Sequence, residues 1–265
     1  MFPDFEIFGI GLYDIFIIIG IVVCLAVYRI FSGRTGLTAK VFNFALFTGI
    51  FSIACGFLSA SLLQSVYNYI ASGVWSWLGM TFYGGLIGSV VSFILAYFAV
   101  GHFVFKDRMH VKQFDIIISF GLICITVAHA FGRIGCLMNG CCYGLKNEAL
   151  GIHMWIDGNL EKRLPTQLYE AIFLFILFAV MLYLLVWRKN EYCVSVYMIS
   201  YGTWRFLIEF IRDDERGSVG ISSLTPSQLI ALILVALGIA LIFFYKYFLK
   251  GYFEGVVAKV EKAQD

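Results

Sequence analysis

Apolar runs of about twenty residues, each closed by a short polar stretch, recur along this chain. Seven can be distinguished: Leu12–Ile30, Val41–Leu63, Thr81–Val100, Asp115–Gly135, Gln167–Trp187, Cys193–Ile211 and Ser227–Leu249. Runs of that length match the hydrocarbon thickness of a bilayer when they are helical. With no water to satisfy the backbone, they are expected to be helices. Thr225-Pro226 predicts a capped start for the last one, since Thr accepts an orphan N–H and Pro suits the first turn. Leu164-Pro165-Thr166 similarly announces the fifth. The expected fold class is all-α: a polytopic membrane protein of about seven transmembrane helices. Residues 1–265 would form a single membrane domain, with a small outer cap at about 136–166.

Composition strengthens this picture. Hydrophobic residues make up 61% of the 265, and charged residues only 14%, far below what a water-soluble domain of this length carries. The first run reads as a retained helix rather than a cleaved signal, because Asp4 and Glu6 stand where a signal peptide has positive charge. Charge also orients the chain. Twelve of its nineteen Lys and Arg fall in alternate loops and the C-terminal tail: Arg29, Arg34, Lys40, Lys106, Arg108, Lys112, Arg188, Lys189, Lys246, Lys250, Lys259 and Lys262. The opposite side holds Lys146, Lys162, Arg163, Arg212 and Arg216. The positive-inside rule then predicts an outer N-terminus and a cytoplasmic C-terminus. Trp75 and Trp77 suit the outer interface; Trp187, Tyr245 and Tyr247 suit the inner one. No basic tract of the kind that binds nucleic acid is present, so no nucleic-acid partner is expected.

Against this apolar background a few polar residues stand out. Arg133 and Arg205 fall within spans, where an arginine costs about 2.5–3.5 kcal/mol at a helix centre. Arg205 and Glu209 are four apart and share a helix face, as do His129 and Arg133. The alternatives for these arginines are a structural ion pair, snorkelling to the interface, or a site for an anionic headgroup, whose phosphate oxygens suit the guanidinium fork. Gly84, Gly85 and Gly88 strip one surface of the third span, for close helix packing or for exposing backbone to a ligand beside Tyr83.

Seven cysteines are present. Cys24, Cys55, Cys124 and Cys193 lie within apolar runs and read as packing residues. Cys136, Cys141 and Cys142 cluster at the end of a span, and four uses are open to them. These are packing in a glycine-rich turn, a disulfide on an oxidising outer face, a thiolate helped by Arg133, and ligation of a metal with His129. Their spacing is not a standard zinc pattern, and no metal is expected. His102 and His110 fall in a cytoplasmic loop, and His153 reads as a surface residue of the cap.

Four segments, in order, carry a family resemblance: "FYGGLIG" (Phe82–Gly88), "GRIGCLMNGCCYG" (Gly132–Gly144), "PTQLYEAI" (Pro165–Ile172) and "YGTWRFLIEFIRDD" (Tyr201–Asp214). Together they resemble the prolipoprotein diacylglyceryl transferases of bacterial membranes, over roughly Thr81 to Asp214. The resemblance implies a seven-span enzyme of the bacterial cytoplasmic membrane. Its reaction moves diacylglycerol from phosphatidylglycerol to the lipobox cysteine thiol of a prolipoprotein signal peptide and releases glycerol phosphate, with no cofactor. By position, Arg133 matches the signature arginine, and Arg205 with Glu209 the essential pair of the sixth span. Asn139 and Gly144 match motif positions, Glu170 the acid of "QLYE", and Tyr13 in "GLYD" a family tyrosine. Three positions depart from the family pattern. Tyr83 stands where the family has His, Cys136 where it usually has Asn, and Cys141 where it usually has Glu.

The resulting expectation assigns Arg133, Arg205, Glu209, His129 and Tyr83 to catalysis, and Gly84, Gly85, Asn139, Gly144, Glu170 and Tyr13 to substrate binding. Arg133 and Arg205 would hold the phosphodiester, Glu209 would orient Arg205, and Tyr83, His129 or an acceptor-side group would manage the acceptor proton. The rivals are a transferase of the same fold with another acceptor, such as a glycan hydroxyl, and a non-enzymatic protein that binds anionic lipid.

Overall fold

The computed structural model describes residues 6–7, 9–156, 159–188, 192–213 and 224–249. The side chain of Tyr83 lies outside that description, as do Lys189, Asp214, Arg216, Lys250, Lys259 and Lys262. Among the described residues the helices are α1 (Leu12–Phe31), α2 (Ala39–Ser72), α3 (Phe82–Val104), a short α4 (Met109–Lys112), α5 (Phe114–Asn139), α6 (Thr166–Val186), α7 (Cys193–Ile208) and α8 (Pro226–Phe244). Six of them, all but α4 and α7, are long and apolar enough to cross a membrane. The sixth expected run is present as α7, 16 residues long, followed by a 3₁₀ turn at Glu209–Ile211.

The helix ends follow local chemistry. Thr225 caps α8: its Oγ1 accepts from Gln228 N, and the Gln228 side chain accepts from Thr225 N, with Pro226 in the first turn. Helix α2 runs nine residues beyond the expected Leu63. Gln64 and Asn68 pair along it, Ser65 and Ser72 bond back to carbonyls four residues earlier, and it stops at Gly73 in the left-handed region. These polar residues end the hydropathy signal without ending the helix.

Two short hairpins are additions to the all-helical expectation. β1 (Glu6–Ile7) pairs with β2 (Ile10–Gly11), and β3 (Ile152–Ile156) pairs antiparallel with β4 (Asn159–Arg163). In β3, Met154 and Ile156 point inward onto Leu137, while His153 and Trp155 point outward. That two-residue alternation is a strand pattern, masked in the sequence by the charged residues of β4.

The chain divides into two compact units. One contains α1, most of α5 and the elements from β3 to α8; the other contains α2, α3, α4 and the start of α5. Both present apolar side chains outward, such as Phe47, Phe51 and Leu58 on α2 and Ile172 and Ile176 on α6, as surfaces solvated by hydrocarbon do.

In the second unit α2 and α3 approach through small residues. An added Cβ at Gly88 would meet Ser59 Oγ at 1.8 Å and Ser59 Cβ at 2.6 Å, and one at Gly84 would meet Ser59 O at 2.8 Å. At Gly85 the nearest atom is Ala60 Cβ at 3.5 Å, an ordinary contact. We therefore expect Gly88→Ala to destabilise the protein by about 1–3 kcal/mol, as overpacking does. Gly85→Ala is expected to be neutral or slightly stabilising, because it removes a helical glycine. Thermal unfolding followed by helical circular dichroism in detergent checks the pair; equal melting temperatures would remove the packing role of Gly88.

Candidate active site

A buried carboxylate organises the first unit. Glu170 sits in the second turn of α6 with no solvent exposure. Its Oε2 lies 3.0 Å from Arg133 Nε and 3.7 Å from Arg212 Nη1, and its Oε1 accepts a hydrogen bond from the Tyr201 hydroxyl at 3.1 Å. Elements α5, α6, α7 and the segment after α7 thus meet at one side chain. His129, one turn from Arg133, packs edge-on against the Tyr201 ring with centroids 5.6 Å apart. It lies within electrostatic reach of Arg133, Glu170 and Arg205.

A second ion pair lies one turn further along α7. Arg205 Nη2 is 2.8 Å from Glu209 Oε2 and donates to Ser227 Oγ at 3.0 Å. Glu209 Oε1 accepts from Thr225 Oγ1 at 2.8 Å. Thr225 therefore both caps α8 and holds the Glu209 carboxylate, so the start of α8 and the end of α7 are fixed by the same hydroxyl. Arg205, Glu209 and Arg212 are all buried. Charges this far from solvent persist only when paired and hydrogen-bonded.

Arg212 is placed by backbone. Gly144 bridges Arg212, Leu145 N donates to Ile211 O at 2.9 Å, and Asp213 N donates to Tyr143 O at 3.3 Å. Only glycine fits at 144, where a Cβ would stand 2.6 Å from Ile211 O and 2.8 Å from Thr166 Cγ2. Arg163, at the end of β4, pairs with Glu161 at 2.7 Å and with Asp213, and lies over the Tyr143 ring. Lys146 adds a 2.7 Å pair to Glu161, and these two cations hold the Glu161 carboxyl below its usual range. The cap is thereby stapled to the segment that carries Arg212.

Cys136 lies in the last turn of α5, and Cys141 and Cys142 in the turn that follows it. Their Sγ atoms all lie within 4.8 Å of one another. All three cysteines are free. Cys141 N donates to Cys136 O at 3.1 Å, Gly140 has φ +75°, and Cys142 takes φ +64°. Side chains of α6 clamp the turn from below: Gln167 Nε2 donates to Cys141 O at 2.5 Å and Thr166 Oγ1 to Cys142 O at 2.9 Å. Hydrogen bonds from Cys136 and Cys141, then the charges of Arg212 and Arg133, hold the Cys142 thiol below its ordinary range against the opposing effect of burial. Tyr13, at the start of α1, packs on Gly135 and lies within electrostatic reach of Arg133 and all three thiols.

A family model described as prolipoprotein diacylglyceryl transferase matches residues 3–244. The chain belongs to the prolipoprotein diacylglyceryl transferase family. It is similar to the phosphatidylglycerol–prolipoprotein diacylglyceryl transferase 2 of Clostridium perfringens, with 32% identity over 255 residues, covering 89% of this chain and 92% of that relative. The enzyme of the same name from Clostridium tetani is 31% identical over 247 residues, covering 89% and 94%. That of Coxiella burnetii is 29% identical over 228 residues, covering 81% and 82%.

Within this member of the transferase family, the first unit brings together Arg133, Glu170, His129, Tyr13, Gly144 and the three thiols, with Arg205 and Glu209 one turn away along α7. Asn139, the last residue of α5, is exposed. Gly84 and Gly85 belong to the other unit, as does the backbone of Tyr83. Sequence reasoning assigned no role to Tyr201, Gln167, Ser227 or Arg163. A buried phenol one turn before Arg205 and a glutamine beside the first turn of α6 are signals only in hindsight of their partners, because each acts across helices.

Proposed function

We propose that this protein transfers the diacylglyceryl group of phosphatidylglycerol to the thiol of a prolipoprotein's lipobox cysteine, releasing glycerol phosphate. The observation that carries this reading is the convergence of Arg133 and Arg205, each held by a buried carboxylate, around His129. Among the described residues Arg133 meets its carboxylate through Nε. Its terminal amino groups would then face a phosphodiester, which guanidinium recognises bidentately. As the bond from glycerol carbon to phosphate oxygen breaks, negative charge grows on the phosphate that leaves, and fixed guanidinium donors stabilise that charge more than the ground state. Glu170 and Glu209 keep both arginines in place, so little reorganisation accompanies the reaction. The acceptor must also lose a proton, which His129 or an acceptor-side group would take. Asn139, Gly144 and Tyr13 would line the acceptor side.

The site lies on the outer half of the bacterial cytoplasmic membrane in this reading, with the N-terminus outside, the C-terminus in the cytoplasm and seven spans including α7. The loop basic residues support that orientation. Reconstituted protein given phosphatidylglycerol and a lipobox peptide is expected to yield a thioether-linked diacylglyceryl peptide, read by mass spectrometry. Lipid consumption without the thioether would move the reading to another acceptor, such as a glycan hydroxyl; lipid binding without turnover would leave a non-enzymatic lipid-binding protein.

A further inference from the structure

We propose that Cys136, Cys141 and Cys142 form a three-thiolate zinc site whose fourth position receives the acceptor thiol. This rests on the transfer of a diacylglyceryl group to a thiol argued above. Zinc bound by sulfur at about 2.3 Å in a tetrahedron places the sulfurs about 3.8 Å apart. The three Sγ atoms lie within 4.8 Å of one another, so a contraction of about 1 Å closes the set.

The backbone is built to hold this arrangement. Cys142 adopts φ +64°, a left-handed conformation that a residue with a Cβ enters only at an energetic cost. Glycine would take it freely, yet here the strained position carries a thiol aimed at two others. The carbonyls of Cys141 and Cys142 are tied to Gln167 and Thr166, both without solvent exposure. Such supporting hydrogen bonds fix the orientation of a ligand set before the metal arrives. All three cysteines are half-buried. Three protein ligands that leave a fourth position for another group are the arrangement of catalytic rather than structural zinc. Three thiolates around Zn²⁺ carry one net negative charge, which Arg133 and Arg212 offset from within electrostatic reach.

The chemistry that the site supplies is the one the changed positions leave open. Tyr83 and Cys141 stand at family His and Glu positions, and neither is a base as imidazole or carboxylate is. A thiol that coordinates zinc is deprotonated outright. The acceptor S–H loses its proton to solvent as the Zn–S bond forms. The sulfur pair then attacks the glyceryl carbon, the C–S bond forms, and the C–O bond breaks with its electron pair going to the phosphate oxygen. The neutral thioether is a weak ligand and is displaced by the next acceptor. Nothing is oxidised or reduced, and no further reactant is needed.

The test uses full-length protein in detergent, reduced, stripped with chelator and titrated with Co²⁺. One Co²⁺ per chain is expected, with thiolate-to-cobalt charge-transfer bands and the intense visible bands of a tetrahedral site, displaced by Zn²⁺. A lipobox peptide should shift the visible bands, and its Cys→Ser version should not. Cys136→Ser with Cys142→Ser should abolish the bands and weaken zinc binding by more than about a hundredfold, the upper range for loss of a supporting partner alone. Absent bands in the reduced wild type overturn the site. So does a Cys136 disulfide to Cys141 or Cys142 in fully active protein, or bands indifferent to the peptide thiol. The wild-type peptide comparison stands whether or not the double variant folds. Failure here separates from failure of the transfer reading: thioether formed equally well by the folded double variant removes the zinc role and keeps the transfer, whereas a peptide-dependent cobalt shift without lipid turnover keeps the site and removes the transfer.

Discussion

Replacing Arg205 with lysine is expected to lower turnover by about a hundredfold while the protein stays folded. Arg205 engages Glu209 and Ser227 through the same nitrogen, Nη2, at 2.8 and 3.0 Å. Lysine restores the positive charge beside a carboxylate that is only 4% exposed, so the buried Glu209 keeps a counter-charge. What lysine lacks is the planar fork, which presents several donors in a fixed plane. If that fork holds the phosphodiester as charge develops, its loss removes about 3 kcal/mol of transition-state stabilisation, or about a hundredfold in rate. Arg205→Ala is a poorer test, because it strands Glu209 and is expected to cost about 3–5 kcal/mol of stability by itself. The measurement is thioether formation by Arg205→Lys protein whose melting temperature is near that of the wild type. Full activity would assign Arg205 to structure and not to phosphate recognition. A parallel loss of stability and rate, rescued by neutralising Glu209, would do the same.

The Arg205–Glu209 pair could be read from the sequence because it is local: four residues on a helix place two side chains on one face. The start of α8 was legible for the same reason, since the Thr225-Pro226 and Gln228 signals lie within one turn. Glu170 is the contrasting case. Periodicity gives it no special standing, and the family resemblance supplied only its match to an acid. Its role is visible once three elements converge on it, and that convergence depends on how helices cross. The cap illustrates a third kind of failure. Its inward alternation at Met154 and Ile156 is only one strand long, and the partner strand reads "NLEKR", whose charged residues give no strand signal. The length of α2 was underestimated because hydropathy ended at Leu63 while helix capping ended at Gly73. Hydrophobicity marks where lipid contact ends; the backbone stops only where a residue such as Gly73 accepts a left-handed turn.

Glu170→Gln is expected to be the most damaging single substitution in the site. The shapes match, so packing is retained and the effect is electrostatic. Wild-type Glu170 balances Arg133 at 3.0 Å and Arg212 at 3.7 Å, with no solvent exposure to screen the change. Removing one partner of a buried pair costs about 3–5 kcal/mol, because the remaining charge is left in a medium that solvates it poorly. For a chain of this size that corresponds to a fall of roughly 6–20 °C in melting temperature, at about 2–4 °C per kcal/mol. Tyr201→Phe removes one hydrogen bond to the same carboxylate and should cost less, about 1.5–3 kcal/mol. Turnover should fall with Glu170→Gln by at least the Arg205→Lys factor, since Arg133 is no longer held in place. The double variant Arg133→Met with Glu170→Gln decides between stability and catalysis. Removing both charges should recover part of the lost stability, as replacing buried pairs by apolar groups does. Turnover should not recover, because the guanidinium that faces the phosphate is gone. A double variant that regained both would make Arg133 a structural counter-ion and leave phosphate recognition to Arg205 on α7.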